Sequence, residues 1–286
     1  FSPDFQKYYT ASKYDKIEIQ DGTEIASAVI KYFKFKKGIN VILSSDVPAG
    51  SGLGASSSLA VNLVNVISNM KGEHLSKTEI AEKAFHIGRK ILHWPIGKQD
   101  EYVSSFGGFN AVKFSTEKVS VQPINLSKSA STELQNNLLL FREGNTRNSS
   151  TILTNQIDMI KKKNPDTLTS LLTVKDLAFD MHKSLKQSDI TKFGQLIHQG
   201  WLAKKKFAKN VTNSRIDKIY DVALKNGAIG GKVTGAGGGG HMLFYCEKPK
   251  QKKLQKKLQT LGLEHVKFSF YNNGPKIIKT SDMSNF

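Results

Sequence analysis

Three glycines at alternate positions, Gly50, Gly52 and Gly54, stand between a short apolar segment and a serine-led apolar run, and they limit what this chain can fold into. Without a Cβ the backbone turns tightly there and comes close to a ligand. Val41-Ile42-Leu43 ahead of them reads as a strand. Ser56-Ser57-Ser58 behind them opens a run ending at Met70, so the unit is strand, glycine loop, helix. Free N–H groups and the positive end of a helix dipole then converge on the loop, which suits a phosphate. The same letters also describe an ordinary turn whose serines cap a helix. The rest of the chain has to decide between them.

Two familiar phosphate loops are excluded. The pattern G-x-x-x-x-G-K-[ST] does not occur: the Gly-Lys pairs, Gly97-Lys98 and Gly231-Lys232, are followed by Gln99 and Val233. The dinucleotide fingerprint G-x-G-x-x-G needs one residue more than the run from Gly50 to Gly54 offers. Gly235 to Gly240 has the letters, but an apolar strand follows where a helix is required.

A chain of 286 residues holds one large domain or two ordinary ones, and 38% hydrophobic residues suffice for a packed core. No apolar run reaches the length of a membrane span, and no signal peptide is expected before Phe1-Ser2-Pro3-Asp4. The single cysteine, Cys246, rules out an internal disulfide framework. It sits in the run Met242-Leu243-Phe244-Tyr245-Cys246 and is expected to be a buried structural thiol in a cytoplasmic protein. Net charge of +18 raises nucleic-acid binding. The lysines, however, are dispersed along helix-like runs such as Lys250 to Lys257, with Leu254, Leu258 and Leu261 on the other face. That is a solvated surface helix, and no specific nucleic-acid partner and no membrane is expected.

Along the chain, Ile25, Val29, Tyr32 and Phe33 form a helical stripe. Leu59, Leu63, Val64, Ile67 and Met70 form the inward face of the helix after the loop. Ser76 to Glu79 is a capping box opening a helix with Ile80, Ala84, Ile87 and Ile91 inward. Asp100 follows the Gly97 turn and opens a short helix ending at Gly107-Gly108, with Phe109 to Phe114 as the next strand. Taken alone, Asp100 is either a helix N-terminal carboxylate or a group placed to meet a substrate hydroxyl. Leu138 to Phe141 reads as a strand, Gly144 to Arg147 as a polar turn, and Ser149–Lys163, Leu168–Lys186, Ile190–Lys209 and Ser214–Lys225 as helices. Four glycines, Gly237 to Gly240, precede the strand Met242 to Cys246, so something must come close to that backbone. His265 to Tyr271 reads as a last strand, turning at Asn273-Gly274 into Ile277-Ile278.

Together these segments resemble the GHMP kinase superfamily. Its nucleotide loop P-x-x-x-G-L-G-[SA]-S-S matches Pro48 to Ser57, and its third motif, a [KT]-x-[ST]-G-A-G-G-G-G turn, matches Lys232 to Gly240. The segment Gly97 to Asn110, the Thr146-Arg147 turn and Gly200 to Lys206 are similar to bacterial D-glycero-D-manno-heptose 7-phosphate kinases. The resemblance implies an α+β protein of two domains: residues 1–130, like the second domain of ribosomal protein S5, and residues 131–286, ferredoxin-like. It further implies transfer of the ATP γ-phosphoryl group to the anomeric hydroxyl of a phosphosugar, with Mg²⁺. Pro48, Gly50, Ser51, Gly52, Leu53, Gly54, Ala55, Ser56 and Ser57 would bind ATP, Ser56 would reach Mg²⁺, and Asp100 would be the catalytic carboxylate. Gly107, Gly108, Arg147, Gly235, Ala236, Gly237 and Gly238 would meet the substrate.

Two departures stand against this pattern. The family's first motif has no match, and the chain is expected to begin after it. Where relatives carry a metal-ligating glutamate before the aspartate, this chain has Gly88, with Arg89 and Lys90 beside it. A GHMP kinase for another sugar and a non-catalytic nucleotide- or sugar-binding relative therefore stay open.

Overall fold

The computed structural model describes residues 8–48, 50–144 and 149–279. The chain divides into two compact units. One comprises Phe1–Pro48, Gly54–Gly108 and Tyr271–Phe286, the other Ala49–Leu53 and Phe109–Phe270.

The first unit is built on helices α1 (Glu24–Tyr32), α2 (Ala55–Met70), α3 (Lys77–His86) and α4 (Gln99–Phe106). Ile25 and Val29 of α1, Leu63, Val64 and Ile67 of α2, and Ile80 and Ala84 of α3 fall at helical spacing and are buried in one core. Each large apolar side chain so buried contributes about 1.5–3 kcal/mol. The capping box forms as the letters require: Ser76 Oγ accepts from Glu79 N at 3.3 Å, and the Glu79 carboxylate accepts from Ser76 N at 2.8 Å. After α3 the chain makes a π-helical turn, Ile87–Ile91.

Two expectations fail in this unit. Among the described residues, Val41-Ile42-Leu43 belongs to neither sheet. The segment keeps the two-residue alternation of a strand, with Val41 and Leu43 packed on the core and Ile42 75% exposed. Met70, expected inward, is 49% exposed, because α2 reaches the edge of the core one turn earlier, at Ile67. Among the described residues, no helix is long and apolar enough to cross a membrane.

The second unit opens with an antiparallel hairpin, β1 (Asn110–Phe114) and β2 (Val119–Pro123), with Val112 opposite Val121. Helix α5 (Lys128–Asn137) leads into β3 (Leu138–Arg142). Helices α6 (Ser149–Lys161), α7 (Pro165–Lys186), α8 (Ile190–Lys204) and α9 (Ser214–Lys225) follow, then β4 (Ala228–Val233), β5 (His241–Cys246), α10 (Lys248–Gln259) and β6 (Glu264–Val266). The sheet is antiparallel in the order β4-β5-β3-β6. Phe141, Met242 and Phe244 from its central strands meet Ile216, Ile219 and Tyr220 of α9 and Leu254 and Leu258 of α10 in one core. The lysine-rich helix is thus amphipathic as expected. Helix α8 stops short of Lys209, and the turns after it carry Phe207, Ala208 and Val211 into the same core. Cys246 is buried, and burial is the main cause that pushes its thiol up to about 11.

The last strand is shorter than expected, and Asn273-Gly274 makes no hairpin. These residues lie against the end of α4 instead. A Cβ on Gly107 would stand 2.1 Å from the Asn273 carbonyl carbon, and one on Gly274 would stand 2.0 Å from the Ser105 carbonyl oxygen. Tight backbone packing, not a turn between strands, is what those glycines permit.

Candidate active site

In the first unit the site is built around the start of α2 and the start of α4. Gly54 caps α2 in a left-handed conformation, φ 75°, and no acidic residue in the first turn offsets the positive end of the 16-residue helix. Ser56 is exposed at that turn. Ser57 turns inward, its Oγ donating to Glu101 Oε1 at 2.8 Å. Asp100 lies in the first turn of α4, where Gln99 Nε2 donates to its Oδ1 at 3.2 Å. A Cβ on Gly54 would stand 3.6 Å from the Asp100 carboxyl, so the last glycine of the loop and the carboxylate are neighbours.

Helix α4 is held from α3. Lys98 Nζ meets both Glu82 oxygens, at 2.7 and 2.8 Å, and Tyr102 OH donates to Glu82 Oε1 at 2.5 Å. Partial burial raises the Glu82 carboxyl, the two hydrogen bonds outweigh it, and its pKa falls below the usual range. At the other end of α4, Ser105 Oγ donates to Lys77 O at 2.6 Å, and Lys77 Nζ donates to Phe106 O at 2.9 Å. Asp100 therefore stands on a helix fixed at both ends. Gly107 and Gly108 line a groove of about 360 Å³ in this unit, with Ser58, Ser104, Tyr271 and Lys276. Gly108 N donates to Tyr271 O at 2.9 Å.

Gly88 lies in the π-helical turn, and a Cβ there would stand 2.6 Å from Ile96 Cδ1. The space a side chain would take is filled by Ile96. Among the described residues, no group of three or more His, Cys, Asp and Glu is arranged to hold a metal ion.

In the second unit, Ser51 of the glycine loop meets the glycine turn between β4 and β5. His241 Nδ1 is 3.0 Å from Ser51 O, and a Cβ on Gly240 would stand 2.5 Å from that same oxygen. The turn is anchored on its other side, where Gly238 N donates to Val211 O at 2.7 Å and Gly237 packs on the same residue. Lys204 Nζ donates to Gly235 O, and Ala236 packs on the core of the unit. Leu53 N donates to Ser51 Oγ at 3.3 Å, closing the loop on itself. Glu143, just after β3, is buried, accepts from Arg215 Nε at 2.6 Å, and donates its N–H to Gly240 O at 2.9 Å. Thr146 and Arg147 lie outside the described residues.

Among the expected residues, Asp100, Gly54, Ser56 and Ser57 fall together in the first unit, and Ser51 falls with the second glycine turn in the other. Two residues escaped the sequence reading. Glu101 falls on the same face of α4 as Tyr102 and Ser105, which was a usable signal: a charged residue among inward positions. His241 opens an apolar strand immediately after four glycines, and only its contact with Ser51 distinguishes it.

The family model described as GHMP kinases N terminal domain matches residues 23–108, and GHMP kinases C terminal matches residues 181–262. D-glycero-alpha-D-manno-heptose 7-phosphate kinase of Campylobacter jejuni is 32% identical over 255 residues, covering 88% of this chain and 74% of the relative. Among solved structures, a D-glycero-D-manno-heptose 1-phosphate kinase from Bacteroides thetaiotaomicron superposes with a TM-score of 0.76 at 25% identity. That match covers 97% of this chain and 82% of the other. A putative sugar kinase from Campylobacter jejuni gives 0.72 at 30% identity, covering 96% and 80%.

Proposed function

The chain belongs to the GHMP kinases, and from that premise we propose that it transfers the γ-phosphoryl group of ATP to the anomeric hydroxyl of D-glycero-D-manno-heptose 7-phosphate in the cytoplasm. The observation that supports the reading is the Asp100 carboxyl 3.6 Å from the Cβ position of Gly54, a carboxylate beside the last glycine of the loop.

Phosphoryl transfer asks for positioning and charge neutralisation more than covalent chemistry. The loop from Pro48 to Ser57 binds the ATP phosphates through backbone N–H groups and the N-terminus of α2, whose own first turn holds no acidic residue. Asp100 accepts, or holds by hydrogen bond, the proton of the attacking hydroxyl. Gly107 and Gly108 are the first unit's candidates for backbone contact with the substrate, and Gly235 to Gly238 are those of the second unit. Arg147 takes the sugar phosphate, because its planar fork fits phosphate oxygens better than a lysine does.

The donors fit Mg²⁺ only as an ion carried by the nucleotide. Ser56 offers one exposed hydroxyl, and Gly88 under Ile96 offers nothing. Mg²⁺ keeps several waters and is commonly held by substrate phosphates plus few protein oxygens. When bound, it supplies charge neutralisation at the phosphates. The same Gly88 packing favours a second reading, a relative that binds nucleotide and sugar without turnover.

The test is ADP formation from ATP with heptose 7-phosphate. Asp100→Asn keeps the shape and removes the charge, so turnover should fall about 10²- to 10⁴-fold while ATP still stabilises the protein. Arg147→Ala should weaken heptose 7-phosphate by about 1.5–3 kcal/mol and leave unphosphorylated heptose unaffected. Undiminished turnover in Asp100→Asn removes that residue from the mechanism. A wild type that binds both ligands without turnover establishes the second reading.

A further inference from the structure

We infer that Glu101 is a positioning residue for the phosphate loop: its buried carboxyl holds the Ser57 hydroxyl and so fixes the first turn of α2, on which ATP binding depends. The inference rests on the nucleotide assignment proposed above.

Glu101 is 1% exposed. Its Oε1 accepts from Ser57 Oγ at 2.8 Å, and its Oε2 is buried with no hydrogen-bond partner among the described residues. An unpartnered buried carboxyl oxygen opposes folding, and an apolar residue of similar size would be the more stable occupant. Packing alone therefore does not account for a glutamate at this position. What the carboxyl does locally is accept the hydrogen bond of the Ser57 hydroxyl and turn that hydroxyl into the unit. Ser56 is left as the exposed hydroxyl of the turn, with the backbone N–H groups in a fixed direction.

Burial, reinforced by Asp100 beside it, pushes the Glu101 carboxyl up to about 7 against the pull of the backbone and Ser57 hydrogen bonds. The pair Asp100-Glu101 then carries less negative charge at neutral pH than two ionised neighbours would, which favours an anion nearby. One turn of α4 thus presents the catalytic carboxylate and, on its inner side, the support of the loop. The two duties separate kinetically. Support of the loop shows in the KM for ATP, and support of Asp100 shows in kcat.

The experiment measures KM for ATP, KM for the sugar and kcat, with ATP-induced thermal shift. It uses the full chain as wild type, Glu101→Gln, Glu101→Met, Ser57→Ala and the double variant Glu101→Met/Ser57→Ala. Glu101→Gln keeps an acceptor oxygen and should stay within about twofold of wild type in KM for ATP. Glu101→Met and Ser57→Ala should each raise it about five- to tenfold, the loss of one hydrogen bond. The double variant should match the single ones, because both remove the same contact. If Glu101→Met does not fold, Ser57→Ala against Glu101→Gln still decides. Variants that shift only the melting temperature, a fall in kcat at unchanged KM for ATP, or an additive double variant would each overturn the inference while leaving the kinase reading intact. A wild type that ATP neither stabilises nor phosphorylates through overturns both.

Discussion

A Cβ added at Gly54 would meet the Asp100 side chain first, at an ordinary 3.6 Å, whereas one added at Gly240 would strike the Ser51 carbonyl oxygen at 2.5 Å. Both glycines have positive φ, 75° and 87°. The first loop uses glycine to bend while leaving room in front of a carboxylate. The second turn uses it so that two backbones can lie in contact, with Gly237 doing the same against Val211 O at 2.6 Å. Similar letters therefore leave space beside a side chain in one turn and permit backbone contact in the other.

The sharpest way to break that contrast is Gly240→Ala. Backbone must move on one side, so stability should fall by roughly 3–5 kcal/mol in chemical denaturation. An unchanged midpoint would mean the turn is as open as the first loop.

The carboxyl behind the first loop gives a smaller, pH-dependent effect. Glu101 releases its proton near 4.5 when unfolded and near 7 when folded, so in that window the native state binds more protons. Its contribution is fully present below about pH 4.5 and is lost as pH rises through 7, a decline of roughly 3 kcal/mol. Denaturation at pH 5 and pH 7.5 should show most of this decline, about 2 kcal/mol, in wild type and a smaller one in Glu101→Gln. Equal declines would place the titration elsewhere.

Gly54→Ala should have the mildest effect on stability, about 1 kcal/mol from the left-handed backbone alone. Its methyl group would stand against Asp100, so activity should fall by more than stability accounts for. A variant as unstable as Gly240→Ala would erase the difference between the two turns.

Much of this was legible beforehand because it rests on local chemistry. The loop before α2, the capping box at Ser76, the short helix carrying Asp100 and the apolar face of α10 each follow from residues within a few positions of one another. The failures share a different cause. Asn273-Gly274 has the letters of a hairpin, yet it packs on α4, since a glycine that permits a turn equally permits close approach of a distant backbone. Val41 to Leu43 alternates like a strand, yet among the described residues it belongs to neither sheet, since alternation reports burial and not pairing.

The residue letters alone identified the family, the two glycine motifs and most of the helices, with Asp100 lying between the motifs in the chain. Periodicity, caps and spacing act over a few residues and survive without knowledge of the rest. It took packing to bury Glu101 under Ser57, to fill the space over Gly88 with Ile96, and to lay Ser51 on Gly240 and His241. Those are contacts between segments 8 to 190 residues apart, and burial, the quantity that turns an ordinary glutamate into one with a raised pKa, exists only once such segments have packed.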